Sequence, residues 1–165
     1  MKNHDMKKAV SSFEYEVYKS VSQLTESDQI LIHEAKEALK KSYSPYSKFK
    51  VGASALVKGG SILSGANMEN AAYPMCICAE GVLLSSVEAT FPGETIETMA
   101  ITAESSSVKL LSPPTPCGAC RQLISEKENR QGKSIRVILF AENTEIYVIE
   151  TIKDILPFSF DGSVI

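Results

Sequence analysis

A chain of 165 residues, 44% of them hydrophobic, can bury one core, and its length favours a single domain. Its net charge of −3, with no dense Lys/Arg tract, weighs against a polynucleotide partner and suits a small neutral ligand better. No apolar run is long enough to cross a bilayer, and Met1–Val10 is basic and polar without the apolar core of a signal peptide, which predicts a cytoplasmic protein. In that compartment Cys76, Cys78, Cys117 and Cys120 stay reduced, so the cysteines point to metal or catalysis rather than to a disulfide framework.

Met1–Lys8 reads as a frayed tail. Phe13, Tyr15, Val17 and Val21 alternate with polar residues and predict a strand in an N-terminal segment, residues 1–24, ahead of the main domain, 25–165. Thr25-Glu26-Ser27-Asp28 resembles a helix start with Thr25 as cap; Leu31, Ala35, Ala38 and Leu39 carry the helical period, which should end before Ser44-Pro45. Val51, Ala53, Ala55 and Val57 share a strand face, Gly59-Gly60 makes a turn, and Ile62-Leu63 begins the return strand, which ends at Gly65-Ala66-Asn67. A polar loop follows through Pro74. Cys78–Ala89 predicts a helix with Val82, Leu83, Ser86 and Val87 as its buried stripe.

Ile96–Ala103 is strand-like, and the Pro-rich connection Ser112–Pro116 leads to a helix from Cys117 to about Lys127. Ile135–Phe140 and Ile146–Ile149 read as paired strands, and a short helix near Ile152–Leu156 ends at Pro157. Sheet with interleaved helices predicts a three-layer α/β/α domain.

The chemistry concentrates in Cys78-Ala79-Glu80 and Pro116-Cys117-Gly118-Ala119-Cys120. Three thiolates match a catalytic zinc, which keeps three protein ligands and an open position for water. Glu80, two residues from Cys78, is placed to carry that water's protons without ligating the metal. Both motifs should open helices, where the unpaired N–H groups and the dipole favour thiolate. Cys-x-x-Cys alone also fits a redox pair, and Cys78 alone a core thiol; neither needs a third Cys beside a Glu. Cys76 reads as a packed thiol outside the motif, and His4 and His33 as surface or packing residues.

The arrangement is similar to the signature of the zinc nucleobase deaminases. From about Ser42 to Phe160 the chain resembles the small, homotetrameric class of cytidine deaminases. The resemblance is carried by Ser44-Pro45-Tyr46-Ser47-Lys48-Phe49-Lys50-Val51-Gly52-Ala53, by Gly65–Tyr73, by the two Cys motifs with Arg121-Gln122, and by Leu156-Pro157-Phe158-Ser159-Phe160. It implies a cytidine deaminase-like fold with a mixed central sheet, one Zn2+ per subunit on Cys78, Cys117 and Cys120, and Glu80 as the catalytic proton carrier. It implies that Asn67 and Glu69 hold the ribose hydroxyls, for which an amide and a carboxylate are chemically suited. By the same resemblance Phe49 lines the base pocket, main-chain groups of Ala79 and Thr115 meet the pyrimidine edge, and Phe160 stacks on the base from a neighbouring subunit. Apart from the resemblance, Asn67 and Glu69 also fit a polar loop, and Phe49 and Phe160 an ordinary core.

The implied reaction is hydrolysis of cytidine or 2′-deoxycytidine to uridine or deoxyuridine plus ammonia, in pyrimidine salvage, with no nucleic-acid or membrane partner. A blasticidin-type deaminase and a non-catalytic, zinc-stabilised nucleoside-binding module are the alternatives. Two departures stand out. The family usually places Arg directly after the Glu, as a donor to the thiolates, and this chain has Gly81. The segment before Thr25 and the Pro-rich loop before Cys117 also depart from the family's core.

Overall fold

The computed structural model describes residues 7–162; residues 1–6, most of the expected tail and His4 among them, lie outside the described residues, as do 163–165. Thr25 caps the first helix, α1 (Glu26–Leu39), by accepting from the Asp28 N–H. Leu31, Ile32, Ala35, Ala38 and Leu39 bury one stripe of α1, which ends well ahead of Pro45. Strand β2 (Phe49–Val57) turns through Gly59 and Gly60, at φ 98° and 92°, into the antiparallel β3 (Ile62–Ala66).

Helix α2 (Ala79–Thr90) then leads to β4 (Ile96–Ser105), and α3 (Gly118–Gln131) to β5 (Arg136–Phe140) and β6 (Ile146–Ile149). With β1 (Glu16–Tyr18) the sheet has six strands in the order β1-β6-β5-β4-β2-β3. β4 and β5 are the parallel pair, Ala100 opposite Ile138, and parallel neighbours need a long crossover, which α3 supplies. The other neighbours are antiparallel, so the sheet is mixed.

Helices cover both faces. α2 and α3 pack on Ala53, Ala55, Met99, Ile101, Val137 and Leu139, while α1 packs on Ala100, Ile138, Phe140 and Val148. β5 is therefore apolar at every position from Val137 to Phe140, the pattern of a strand buried on both sides. Two glycines set the helix positions. A Cβ on Gly52 would collide with the Ala35 carbonyl, and one on Gly65 would lie 2.7 Å from Leu83 N and 2.9 Å from Ala79 O. α2 thus rests directly on β3, which fixes where its N-terminus falls.

Several boundaries differ from the sequence reading. The strand in the N-terminal segment covers only Glu16–Tyr18; Phe13 and Tyr15 precede it, and Val21 lies in a 3₁₀ turn. Phe13, Tyr15 and Val17 stay half-exposed, because β1 is the edge strand of the sheet. In α2, Leu84 joins Leu83 and Val87 in the core whereas Val82 and Ser86 are only half-buried, since α2 packs on α3 as well as on the sheet. α3 runs a turn past Lys127 to a left-handed cap at Gly132, φ 64°. Lys127 and Glu128 in that turn are buried with partners: Lys127 Nζ donates to Glu88 (2.6 Å) and to the Glu94 carbonyl (2.8 Å). Glu128 accepts from Ile135 N, Thr151 Oγ1 and Ile152 N.

Candidate active site

Cys78 is the N-cap of α2 and Cys117 the N-cap of α3. The two helices lie side by side on one sheet face, so their first turns meet. Cys120, inside the first turn of α3, is buried. The sulfurs of Cys78, Cys117 and Cys120 all lie within 4.8 Å of one another, with Cys117 and Cys120 at 3.4 Å. Zinc–sulfur bonds of about 2.3 Å separate the sulfurs of a tetrahedral site by about 3.8 Å, so this donor set fits a zinc ion in both chemistry and spacing.

The thiols are electrostatically distinct. Burial pushes Cys78 and Cys120 up, and the neighbouring Glu80 carboxylate adds to the effect on Cys120. Burial also opposes thiolate at Cys117, but hydrogen bonds from the Cys120 amide and thiol, the Ala119 amide and the Cys78 thiol together outweigh it and its pKa is lowered. The helix N-terminus and the neighbouring thiols thus favour one thiolate, and a coordinated divalent cation deprotonates the others. Glu80, in the first turn of α2, is 4% exposed, and burial raises its pKa despite opposing hydrogen bonds from its own N–H and from Cys120.

These groups line a cavity of about 500 Å³. Phe49, Asn67, Glu69 and Thr115 line it with them, as do Ser47, Met68, Cys76, Ile77 and Pro114. Phe49, at the start of β2, half-buried, and Asn67, just past β3, are neighbours because β2 and β3 pair. Asn67 Oδ1 accepts from Ser42 Oγ (2.6 Å) and Val51 N (2.8 Å), and Nδ2 donates to Phe49 O (3.0 Å). Glu69 accepts from Tyr46 N (2.8 Å) and Ser47 N (3.3 Å); hydrogen bonding from Ser47 leads the effects that hold its carboxyl below the usual range. Both side chains therefore shape the 42–51 segment as well as facing the cavity.

Two expected substrate residues do not line this cavity. Ala79 is fully buried at the first position of α2. Phe160 is 61% exposed elsewhere, its carbonyl held by Gln122 Nε2 at 2.8 Å. Cys76 is exposed rather than packed: its residue lies in a surface loop, where Sγ accepts from Asn70 N, and it is not part of the three-sulfur cluster. His33 is exposed on α1. Met68 and Pro114 were not anticipated, although Met68 sits between Asn67 and Glu69 and Pro114 in the Pro-rich loop.

A family model for the "Cytidine and deoxycytidylate deaminase zinc-binding region" matches residues 25–132. The chain belongs to this family. It is 36% identical over 132 residues to a cytidine deaminase of Halalkalibacterium halodurans, across 80% of this chain and 92% of that one. It is 42% identical over 97 residues to a cytidine deaminase of Sporosarcina psychrophila, across 58% of this chain and 66% of that one. A crystal structure of cytidine deaminase from Burkholderia pseudomallei superposes with a TM-score of 0.70 at 37% identity, covering 83% of this chain and all (100%) of that one. The protein is a hydrolytic deaminase with the family's three-layer α/β/α fold.

Within the family, Gly81 leaves no cationic side chain after Glu80. A Cβ there would make ordinary contacts, 3.6 Å to Ile77 and 3.7 Å to Leu123, so packing does not impose the glycine. Arg121 does not take over the role. Its Nε, Nη1 and Nη2 donate to Pro116 O, Ile155 O and Thr115 Oγ1, and the softening influence visible here is the set of hydrogen bonds to Cys117 from the Cys120 and Ala119 amides and the Cys120 and Cys78 thiols.

Proposed function

We propose that the protein deaminates cytidine and 2′-deoxycytidine, adding water and releasing ammonia to give uridine and 2′-deoxyuridine. The observation that carries this reading is a nearly buried Glu80 in the same cavity as the Cys78, Cys117 and Cys120 sulfurs. Zinc on those sulfurs, one ion per subunit, supplies Lewis acidity and a water nucleophile at neutral pH. Glu80 carries one proton of the water to the pyrimidine ring nitrogen, which keeps it in the product, and a second, from the added hydroxyl, to the departing amine.

Phe49 offers a flat face for the base, and Thr115 offers main-chain groups at its edge. Asn67 and Glu69 meet the sugar. Among the described residues the cavity lining includes Glu69 and Glu80 and no Lys or Arg to receive a phosphate, which supports the free nucleoside over the nucleotide. A cytoplasmic place in pyrimidine salvage goes with this reading. So does a homotetramer: Phe160, exposed and away from the cavity of its own chain, can reach a base only in a neighbouring subunit.

The test is the ultraviolet loss of cytidine, with and without a chelator and with Glu80→Gln. The chelator should abolish turnover, and Glu80→Gln should lower kcat by ~10²–10⁴-fold while retaining zinc. Near-normal turnover by zinc-loaded Glu80→Gln would overturn the mechanism. Faster turnover of a cytosine-bearing antibiotic than of cytidine would favour the blasticidin-type alternative.

A further inference from the structure

The loop that delivers Cys117 to the site has little main-chain support. Among the described residues, 106–116 make no main-chain to main-chain hydrogen bond, and Pro113, Pro114 and Pro116 have no N–H to give. Near its start the N–H groups of Ser107 and Val108 donate to Ser105 Oγ. At its far end, polar attachment comes from Arg121. Arg121 Nε donates to Pro116 O (2.8 Å), Nη1 to Ile155 O (2.7 Å) and Nη2 to Thr115 Oγ1 (3.5 Å).

Helix geometry explains how one side chain does this. The Arg121 N–H closes the first turn of α3 onto Cys117 O, and side chains on a helix lean toward its N-terminus. The guanidinium is thereby carried back over the residues before the helix. Its planar fork spreads donors over three nitrogens, and so reaches separated acceptors that a lysine's single nitrogen cannot span. The Ile155 acceptor belongs to the 3₁₀ turn Ile152–Ile155, anchored in turn by Glu128 through Ile152 N and Thr151 Oγ1. A rigid path thus runs from buried Glu128 through that turn and Arg121 to Thr115 and Pro116.

We propose that Arg121 is a positioning residue for the deamination reaction. It holds the Thr115–Cys117 segment at the cavity, setting both the substrate-facing groups of Thr115 and the approach of the Cys117 sulfur. The proposal rests on the function given above, through the roles of Thr115 and Cys117. It predicts a loss in substrate binding and metal retention out of proportion to any loss in the chemical step.

The experiment compares zinc-loaded wild type with Arg121→Met, which keeps the apolar stem, and Arg121→Lys. Three readouts are taken: KM and kcat for cytidine, the rate of zinc transfer to a chromophoric chelator, and the melting temperature. Arg121→Met should raise KM and speed zinc transfer each by roughly tenfold, with kcat lowered less than about threefold; Arg121→Lys should recover part of both. KM and zinc transfer within about twofold of wild type, with only a lower melting temperature, would overturn the proposal and leave Arg121 a structural residue. A fall in kcat at unchanged KM would overturn it too. If Arg121→Met does not fold, Arg121→Lys decides: wild-type KM and zinc transfer refute the proposal, and intermediate values support it. A wild type that does not deaminate cytidine would refute the proposed function instead, while the zinc-transfer comparison still tests the clamp.

Discussion

Asn67→Ala separates a sugar-binding role from the structural one visible in the fold. The amide makes three hydrogen bonds: from Ser42 Oγ, from Val51 N–H and to Phe49 O. Alanine leaves Val51 N–H and Phe49 C=O without partners; Ser42 Oγ can still use Ser44 Oγ, 3.4 Å away. A buried polar group left unpaired costs about 1–3 kcal/mol, and these groups are half-buried, so about 2–3 kcal/mol for the pair follows. For a chain of this length that lowers the melting temperature by roughly 4–12 °C.

Asn67→Asp keeps the acceptors for Ser42 and Val51 but sets an anionic oxygen against Phe49 O, so its melting temperature should fall between alanine and wild type. Both variants lose the amide donor and should raise KM for cytidine at least about tenfold, in line with the loss of one good hydrogen bond. Thermal melts and ultraviolet kinetics on zinc-loaded protein make the comparison. An Asn67→Ala melting within about 2 °C of wild type would refute the structural role, because two unpaired main-chain groups cannot cost so little.

Gly65→Ala should destabilise by about 1–3 kcal/mol, the usual cost of overpacking, and should speed zinc loss, since the clash with Ala79 O adjoins Cys78. Gly118→Ala, whose Cβ meets nothing within 4 Å, should melt at or above wild type; equal melting of the two alanine variants would sink the close-approach argument. Glu88 has its pKa lowered, first by the hydrogen bond from Lys127 and then by Arg130. A lowered carboxylate contributes stability above its ordinary value of 4.5 and loses it as pH falls through the depressed folded value. The stability gap between wild type and Glu88→Gln should therefore be widest near neutrality and close in acid. A gap that persists unchanged to about pH 3 would show that the Glu88 charge does not support Lys127.

The elements that sequence period and cap chemistry specify locally were legible. Thr25 begins α1, the Gly59-Gly60 turn joins β2 to β3, and the Cys78 and Cys117 motifs open α2 and α3, because each depends on residues close in the chain. The extra length of α3 was not legible. Its last turn is charged, and only the distant Glu88, Glu94 and Ile135, Thr151 and Ile152 partners make burying Lys127 and Glu128 acceptable. Nor was the exposure of Phe13, Tyr15 and Val17, since an alternating strand is buried only where something covers its apolar side.

The sequence by itself determined the donor set: three thiols and one carboxylate at spacings that zinc deamination uses, with Gly81 directly after the carboxylate. Bringing Cys78 to within 4.8 Å of Cys117 and Cys120 belonged to the tertiary structure. It depends on α2 lying directly on β3 at Gly65 and on α3 making the parallel crossover beside it, long-range packing that no local period encodes. The same packing set Arg121 against Pro116, Thr115 and Ile155. A side chain's position in the chain fixes its reach, but the acceptors that the fold brings within that reach decide what it holds.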